Sequence, residues 1–465
     1  MTNYEKMTET PVPSLIGRLS IPTIISMMAT TIYNLVDTAF VGRLGNSASG
    51  AVGIVFGYMT ILQAIGFMFG QGSGSIISRR LGARKTDEAS RIASTGFFLA
   101  FAIAVLTALF SFLFLDGIIE LLGSTPTIAP YARTYLIFIL CAAPFSVTSF
   151  VLNNILRFEG KAMFAMAGLL TGGVINIAGD AVFMFGLKMG IAGAGLSTAL
   201  SQFFSFCILL SMFIRHKTTS VISLWYLLPD RDEQRFIPKR TICRQIGEDA
   251  TDIIATGVPS LLRQLLNSVN TILLNSLAGA YGDEAIAAMS IVSRVAFFIF
   301  SIALGIGQGF QPVAGFNFGA KRYSRVRQGY RFTILLAETL IIIMSAAVLA
   351  GSGNIIRIFR DDEEVIRIGT RALRLQVGAQ ILLPVCMATE MLMQSTGQRL
   401  AAAVLSALRG GVFFIPALLI LSRLRGLYGI EEAQPVAFLL AVLPAIPVAY
   451  LFFKRMPEED GKEMK

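Results

Sequence analysis

Charge is scarce in this sequence. Only 15% of its 465 residues are Asp, Glu, Lys or Arg, against about 25% in an ordinary soluble chain. Most side chains therefore do not face water. Histidine occurs once, as His216, which excludes a His-centred catalytic triad and a His-rich metal site. The four cysteines (Cys141, Cys207, Cys243, Cys386) are scattered. No pair has redox or metal-ligand spacing, and they read as reduced, structural residues. No GxxxxGK[ST] loop is present, so the chain hydrolyses no nucleotide through that motif. No stretch reads as a strand or a soluble domain. The first ten residues are polar and lack the charge-then-apolar order of a cleaved signal.

What the sequence has in quantity is apolar surface and glycine. The chain is 54% apolar with 43 glycines and 18 methionines, and its mean hydropathy is +0.67. Small residues let transmembrane helices approach closely. A bilayer-spanning helix needs about 20 mostly apolar residues. Twelve segments qualify: 14–40, 48–78, 90–115, 127–156, 162–186, 190–214, 250–278, 285–315, 328–352, 365–394, 399–421 and 433–453. Segments 48–78 and 285–315 exceed one span, and their glycines suggest kinks or extensions beyond the bilayer. The expected fold is all-α, integral to the membrane.

The net charge of +10 does not point to nucleic acid, because the basic residues sit in short clusters between apolar runs. Arg79, Arg80, Arg84 and Lys85 follow segment 2. Arg215, Lys217, Arg235, Lys239, Arg240 and Arg244 follow segment 6. Lys321, Arg322, Arg325 and Arg327 follow segment 8. Asp116 and Glu120, or Asp283 and Glu284, mark intervening loops. Positive residues stay on the cytoplasmic side, so both termini are expected there. The loop after segment 9 (Arg357, Arg360, Asp361, Asp362) and that after segment 11 are mixed.

A shift of 237 residues lays 22–85 on 259–322 without a gap. Pro22 meets Pro259, Gly45 meets Gly282, and Gly70-Gln71-Gly72 meets Gly307-Gln308-Gly309. The same shift puts Gly160 on Gly397 and Gly173 on Gly410. The expected organisation follows: an N-terminal tail (1–13), a six-helix lobe (14–214), a polar cytoplasmic linker (215–248), a second six-helix lobe (249–455) and a C-terminal tail (456–465). Six spans per half is an even number, so the halves are expected as parallel repeats about a pseudo-two-fold axis along the membrane normal. Transporters use such lobes to rock about a shared cleft.

Ionisable or polar groups inside a span are costly and mark function. Asn34 and Asp37 share a face of segment 1, Asn176 and Asp180 a face of segment 5, and Thr198 with Ser201 lies on segment 6. At about 1.5 Å per residue, Asp37, Asp180 and Thr198 fall within about 5 Å of one level, in the outer half of the bilayer. Two carboxylates, two amides and a hydroxyl at one depth can take up a proton or hold Na⁺; the alternative is a polar plug that only fixes packing. The second half has Leu274 and Ala417 where the first has Asp37 and Asp180. Its polar set is Arg263, Gln264, Asn267, Asn270, Arg294, Gln308, Glu390, Gln394 and Arg409. Of these, Gln264, Asn267, Arg294, Gln308, Glu390 and Gln394 are substrate-cleft candidates. Glu390 is either a second cation or substrate contact, or a partner of Arg263, Arg294 or Arg409.

Four stretches carry a resemblance: IPTIISMMATTIYNLVDTAFVGRLG at 21–45, TGGVINIAGDAVFMFG at 171–186, GIAGAGLSTALSQ at 190–202 and GIGQGFQPVAGFNFGAKR at 305–322. The sequence resembles the multidrug and toxic compound extrusion (MATE) family, in its prokaryotic branch, over essentially the whole chain. The resemblance implies an antiporter that expels lipophilic, often cationic, compounds while H⁺ or Na⁺ enters, with no other cofactor. It implies a first-lobe cation site of Asp37, Asn176, Asp180 and Thr198, with Asn34 beside it and any Na⁺ at Asp37 and Asp180. Some family members carry coupling acids on segments 7 and 10 instead. Here segment 7 has Asn267 in that region and no acid, and Glu390 is the only segment 10 candidate, which favours first-lobe coupling.

Three other protein classes share some of these features. A major-facilitator transporter would carry a Gly-Asp-Arg-Gly-Arg type loop after segment 2, but that loop reads SRRLGARK. A lipid-linked oligosaccharide flippase of the same superfamily would suit Arg263, Arg294 and Arg409, yet the two acids argue for a cation cycle. An intramembrane enzyme would need a paired catalytic signature, and none is found. The expectation is a monomeric, non-enzymatic, alternating-access exporter in the cytoplasmic membrane, with small organic substrates and membrane lipid as its partners and no nucleic acid.

Overall fold

The computed structural model describes residues 2–227, 239–458 and 460–461. Arg235 and the middle of the expected linker lie outside the described residues. Helix α1 (Asn3–Glu9) is short. The first half then runs as α2 (Val12–Gly42), α3 (Asn46–Gly82), α4 (Thr86–Leu113), a short α5 (Leu115–Leu121), α6 (Ala129–Phe158), α7 (Ala162–Asp180) and α8 (Ile191–Ile214). The second half comprises α9 (Lys239–Ala278), α10 (Asp283–Gly319), α11 (Tyr323–Phe359), α12 (Glu363–Gln380), α13 (Leu383–Thr396), α14 (Arg399–Ala407), α15 (Phe414–Arg425) and α16 (Leu427–Arg455). No strand occurs among the described residues.

Ten helical stretches are long and apolar enough to cross a membrane, and α12 with α13 forms an eleventh, bent by 49°. The twelfth expected span is α9, 40 residues long. Arg263, Gln264, Asn267 and Asn270 make its second half too polar to join the apolar set. The chain is a multi-pass membrane protein of twelve spans. Helices α3 and α10 have 37 residues each, about 55 Å at 1.5 Å per residue, well beyond a bilayer core of about 30 Å. They run unbroken through their glycines and so overshoot the bilayer.

Three departures from the sequence reading have clear causes. The expected linker is helical from Lys239, because its last ten residues continue without Pro or Gly until Gly247 and form the first turns of α9. Segment 10 is broken at Ile381–Leu382, where Pro384 takes a first-turn position of α13; it has no N–H to bond the Gln380 carbonyl four residues back, and its ring crowds that carbonyl. The expected N-terminal tail contains α1, whose Met7 and Thr8 are fully buried.

The repeat extends to the backbone. Gly45 and Gly282 precede α3 and α10 with φ of 108° and 102°. Arg84 and Lys321 are left-handed at 61° and 55°, and Gly160 and Gly397 at 78° and 88°. Each member of the last two pairs ends a helix with the same doubled bond: Lys85 N–H reaches Arg80 O, Arg322 N–H reaches Asn317 O, Lys161 N–H reaches Leu156 O, and Gln398 N–H reaches Met393 O. This is the Schellman stop, repeated 237 residues apart.

By packing, the chain divides into two units, residues 1–4 with 25–261 and residues 5–24 with 262–465. Helices α2 and α9 each contribute to both. In the first unit, Gly66, Gly70 and Gly74 form a stripe of α3 facing Phe150, Asn154 and Phe158 of α6. A Cβ at any of the three would strike its partner, so close approach of these helices requires glycine.

The second unit is centred on Leu274, Val292, Ile341, Val348, Leu373, Met391 and Leu418. It also includes residues 5–24 and the segment after α16. The Asn317 amide and the Arg325 guanidinium donate to Met7 O, Arg322 to Thr8 O, and Arg325 also to Thr10 O. Arg327 donates to Met456 O and Pro457 O. The Asp460 carboxylate accepts from the Ser324 amide and hydroxyl at the start of α11.

Candidate functional site

The first unit gathers the acids. Asp180 ends α7, and the chain then widens into a π-helical turn, Ala181–Gly186. Such turns are rare and recur at functional sites because they re-aim side chains. Gly193 of α8 lets the helices close on that turn, since a Cβ there would lie 2.8 Å from the Phe183 carbonyl carbon. One turn before Asp180, the Asn176 amide donates to Thr198 Oγ1 at 3.3 Å and Ser197 Oγ at 3.5 Å, and the Ser197 hydroxyl donates to Asn176 O at 2.8 Å. These bonds fix α7 to α8 beside the carboxylate.

Asp180 is 0% exposed. Neither of its oxygens, nor Asp37 Oδ1, has a well-formed hydrogen bond. The two carboxyl groups nonetheless lie within direct electrostatic reach of each other, and Ser197 is within reach of Asp180. Tyr33 lies one turn before Asp37 on α2, and the Tyr135 hydroxyl faces Thr198. Neither acid has an ion pair among the described residues. A buried carboxylate without a partner is expensive, and here the half-buried Asp37 lies beside the buried Asp180. The available donors are all oxygens, suited to a proton or a hard monovalent cation.

The structure therefore brings Asp37, Asn176, Asp180 and Thr198 together. Asn34 is half-buried on the same helix, and its carbonyl accepts from Thr38; it makes no side-chain bond to the cluster. Ser197, Tyr33 and Tyr135 were missed by sequence reasoning. Hydroxyl groups are tolerated in spans and leave no periodic trace, although Ser197 adjoins Thr198.

The second unit gathers the cations. The Glu390 carboxylate, 1% exposed, accepts from Arg263 Nη1 at 2.7 Å and from Arg409 Nη2 at 3.0 Å. Of the pairings open to Glu390, the structure selects Arg263 and Arg409 and not Arg294. Gln394 is buried and accepts from Gln311 at 3.1 Å. Gln308 is buried, and Gln264 is half-buried. Asn267 and Arg294 are exposed. Asn270 donates to Gly410 O at 2.8 Å, tying α9 to the π turn Leu408–Val412 that carries Arg409.

A family model described as MatE matches residues 22–182 and 259–419, two stretches separated by the same offset as the internal repeat. The chain belongs to the MatE family. A protein named multidrug export protein MepA, from Staphylococcus saprophyticus, is 26% identical over 444 residues, covering 95% of this chain and 94% of the relative. Two solved structures illustrate the fold match. One is an outward-facing multidrug resistance MATE family transporter of the MOP superfamily, with a TM-score of 0.87 at 25% identity, covering 97% of this chain and 99% of the other. The other is a MOP superfamily transporter from Pyrococcus furiosus whose binding pocket is described as reversed in polarity. It has a TM-score of 0.88 at 25% identity, covering 99% of both chains. This MatE chain thus shares its fold with membrane transporters.

Proposed function

We propose that this MatE protein is a secondary multidrug exporter that expels small, lipophilic and often cationic organic compounds in exchange for H⁺ or Na⁺. The single observation that carries the reading is the buried Asp180 beside the half-buried Asp37, with no counter-cation among the described residues. Two anions confined together in low dielectric bind a small cation strongly, and the occupied and empty sites differ by a full charge. A cation held there favours one state of the lobe, while the organic substrate favours the other. Alternating access follows from that differential affinity. Pro22, inside α2, removes a backbone bond and gives the helix a place to bend.

The MepA relative, named a multidrug export protein, supports the substrate class. The reading puts both termini on the cytoplasmic side. The positive-inside rule supports this, because α1 and the C-terminal tail are both held by the basic segment containing Arg322, Arg325 and Arg327. The flippase alternative has no use for the acid pair.

The test is dye efflux from everted vesicles carrying Asp37→Asn or Asp180→Asn. Both variants are expected to lose ion-driven efflux while remaining folded and membrane-inserted. Wild-type efflux in both would remove the pair from the mechanism.

A further inference from the structure

Two guanidinium groups meet one carboxylate in the second unit. The side chains of Arg263, Glu390 and Arg409 are 12%, 1% and 10% exposed, so the cluster carries a single excess positive charge almost out of water. Arg409 touches Glu390 through Nη2 alone. Its Nε and Nη1 donors engage no other side chain or carbonyl among the described residues. The arginine fork is shaped to grip a carboxylate, sulfonate or phosphate with two nitrogens at once; here part of that fork is in reserve.

The backbone presents Arg409 for such a role. It lies in the π turn Leu408–Val412, as Asp180 lies at the start of the other one. Arg263, Asn267 and Asn270 recur at the i, i+4, i+7 spacing of one stripe of α9. That stripe runs from the buried cluster to Asn267, which is exposed. Arg294 of α10 is exposed within a span and has no side-chain partner among the described residues. A cation within a span is costly against hydrocarbon and is favoured where it reaches water. It adds positive charge to the same unit.

We propose that Arg263 and Arg409, converging on Glu390, form an anion subsite that receives the carboxylate, sulfonate or phosphate group of an amphipathic substrate. The transported compounds then include organic anions and zwitterions, beyond the lipophilic cations expected of an acid-bearing lobe. Glu390 tempers the site by holding the two arginines together and limiting the excess to one charge. The inference deepens the export reading and rests on it, but it is tested by equilibrium binding, which requires no transport.

The experiment measures fluorescence polarisation of carboxyfluorescein, an anionic aromatic dye, against purified full-length protein in a non-ionic detergent. Ethidium, a cationic aromatic, serves as comparison. R409Q is expected to weaken carboxyfluorescein binding by on the order of tenfold, as loss of one partly buried ionic contact would, while ethidium binding persists. E390Q, which adds net positive charge, is expected to tighten it several-fold. The R409Q/E390Q double variant restores the original charge without the Arg409 fork and is expected to bind more tightly than R409Q but more weakly than wild type; wild-type affinity in the double variant would overturn the fork's role. Because E390Q predicts a gain, misfolding of R409Q cannot mimic support. Displacement of the dye by decanoate identifies a free organic anion as the ligand, and displacement only by phosphatidylglycerol a lipid headgroup; both support the subsite. Absence of carboxyfluorescein binding in a protein that binds ethidium, or equal affinity in wild type, R409Q and E390Q, would overturn it.

Discussion

The Asn176 side-chain amide donates to Thr198 Oγ1 at 3.3 Å, one turn before the buried Asp180. This bond joins α7 and α8 where the first unit collects its acids. Thr198→Val keeps the shape and removes the acceptor, at a cost of about 1–3 kcal/mol. The expected outcome is a lower thermal midpoint in detergent and a higher ion concentration for half-maximal efflux. An unchanged ion dependence would reduce Thr198 to a packing residue.

The glycine stripe of α3 gives a prediction about packing. Gly70→Ala places a Cβ against the Asn154 side chain, which lies at 2.8–3.0 Å from that position. Overpacking of this kind costs about 1–3 kcal/mol. Gly53, with open space around it, is the control. Thermal unfolding should separate the two alanine variants, with only Gly70→Ala lowered.

Glu390 is the anion between two nearly buried guanidiniums. Glu390→Ala leaves both uncompensated, and removal of one member of such a cluster costs about 3–5 kcal/mol. Yield and thermal midpoint are expected to fall sharply. Glu390→Gln retains a hydrogen-bond acceptor and is expected to lose less. Equal stability of Glu390→Ala and wild type would mean that the arginines are solvated.

Glu159, fully buried, accepts from the amides of Thr219 and Ser220 at 2.7 and 2.8 Å, from the Ser220 hydroxyl, and from Lys161 Nζ at 3.1 Å. It pins the chain where it leaves α8. Glu159→Gln loses the charge-assisted part of these bonds, about 1–3 kcal/mol. Faster limited proteolysis between 215 and 227, with the rest of the pattern unchanged, is the expected readout.

The helices were legible in the sequence because a bilayer demands length and apolarity, and both are local properties. The repeat was legible because its turn residues recur at one offset, and Gly45 with Gly282 or Gly160 with Gly397 share left-handed backbones. The break before Leu383-Pro384 was visible only as one proline in an otherwise apolar run. The first turns of α9 escaped notice because a charged helical extension reads like a linker. At the site, carboxylates and amides in apolar segments stood out, so Asp37, Asn176 and Asp180 were found from sequence. Their neighbours Tyr135 and Ser197 were not, since a hydroxyl in a span has little cost. The Glu390 pairing with Arg263 joins residues 127 apart, and only the packing of the helices decides among its possible partners.

The central claim is that a small cation at Asp37 and Asp180 drives organic solute outward. Its most direct test is efflux of a loaded dye from proteoliposomes under separately imposed H⁺ and Na⁺ gradients, with Asp37→Asn and Asp180→Asn alongside. The account predicts efflux with one of the two gradients in wild type and with neither in the variants. Dye movement independent of both gradients, or undiminished in the variants, would contradict it.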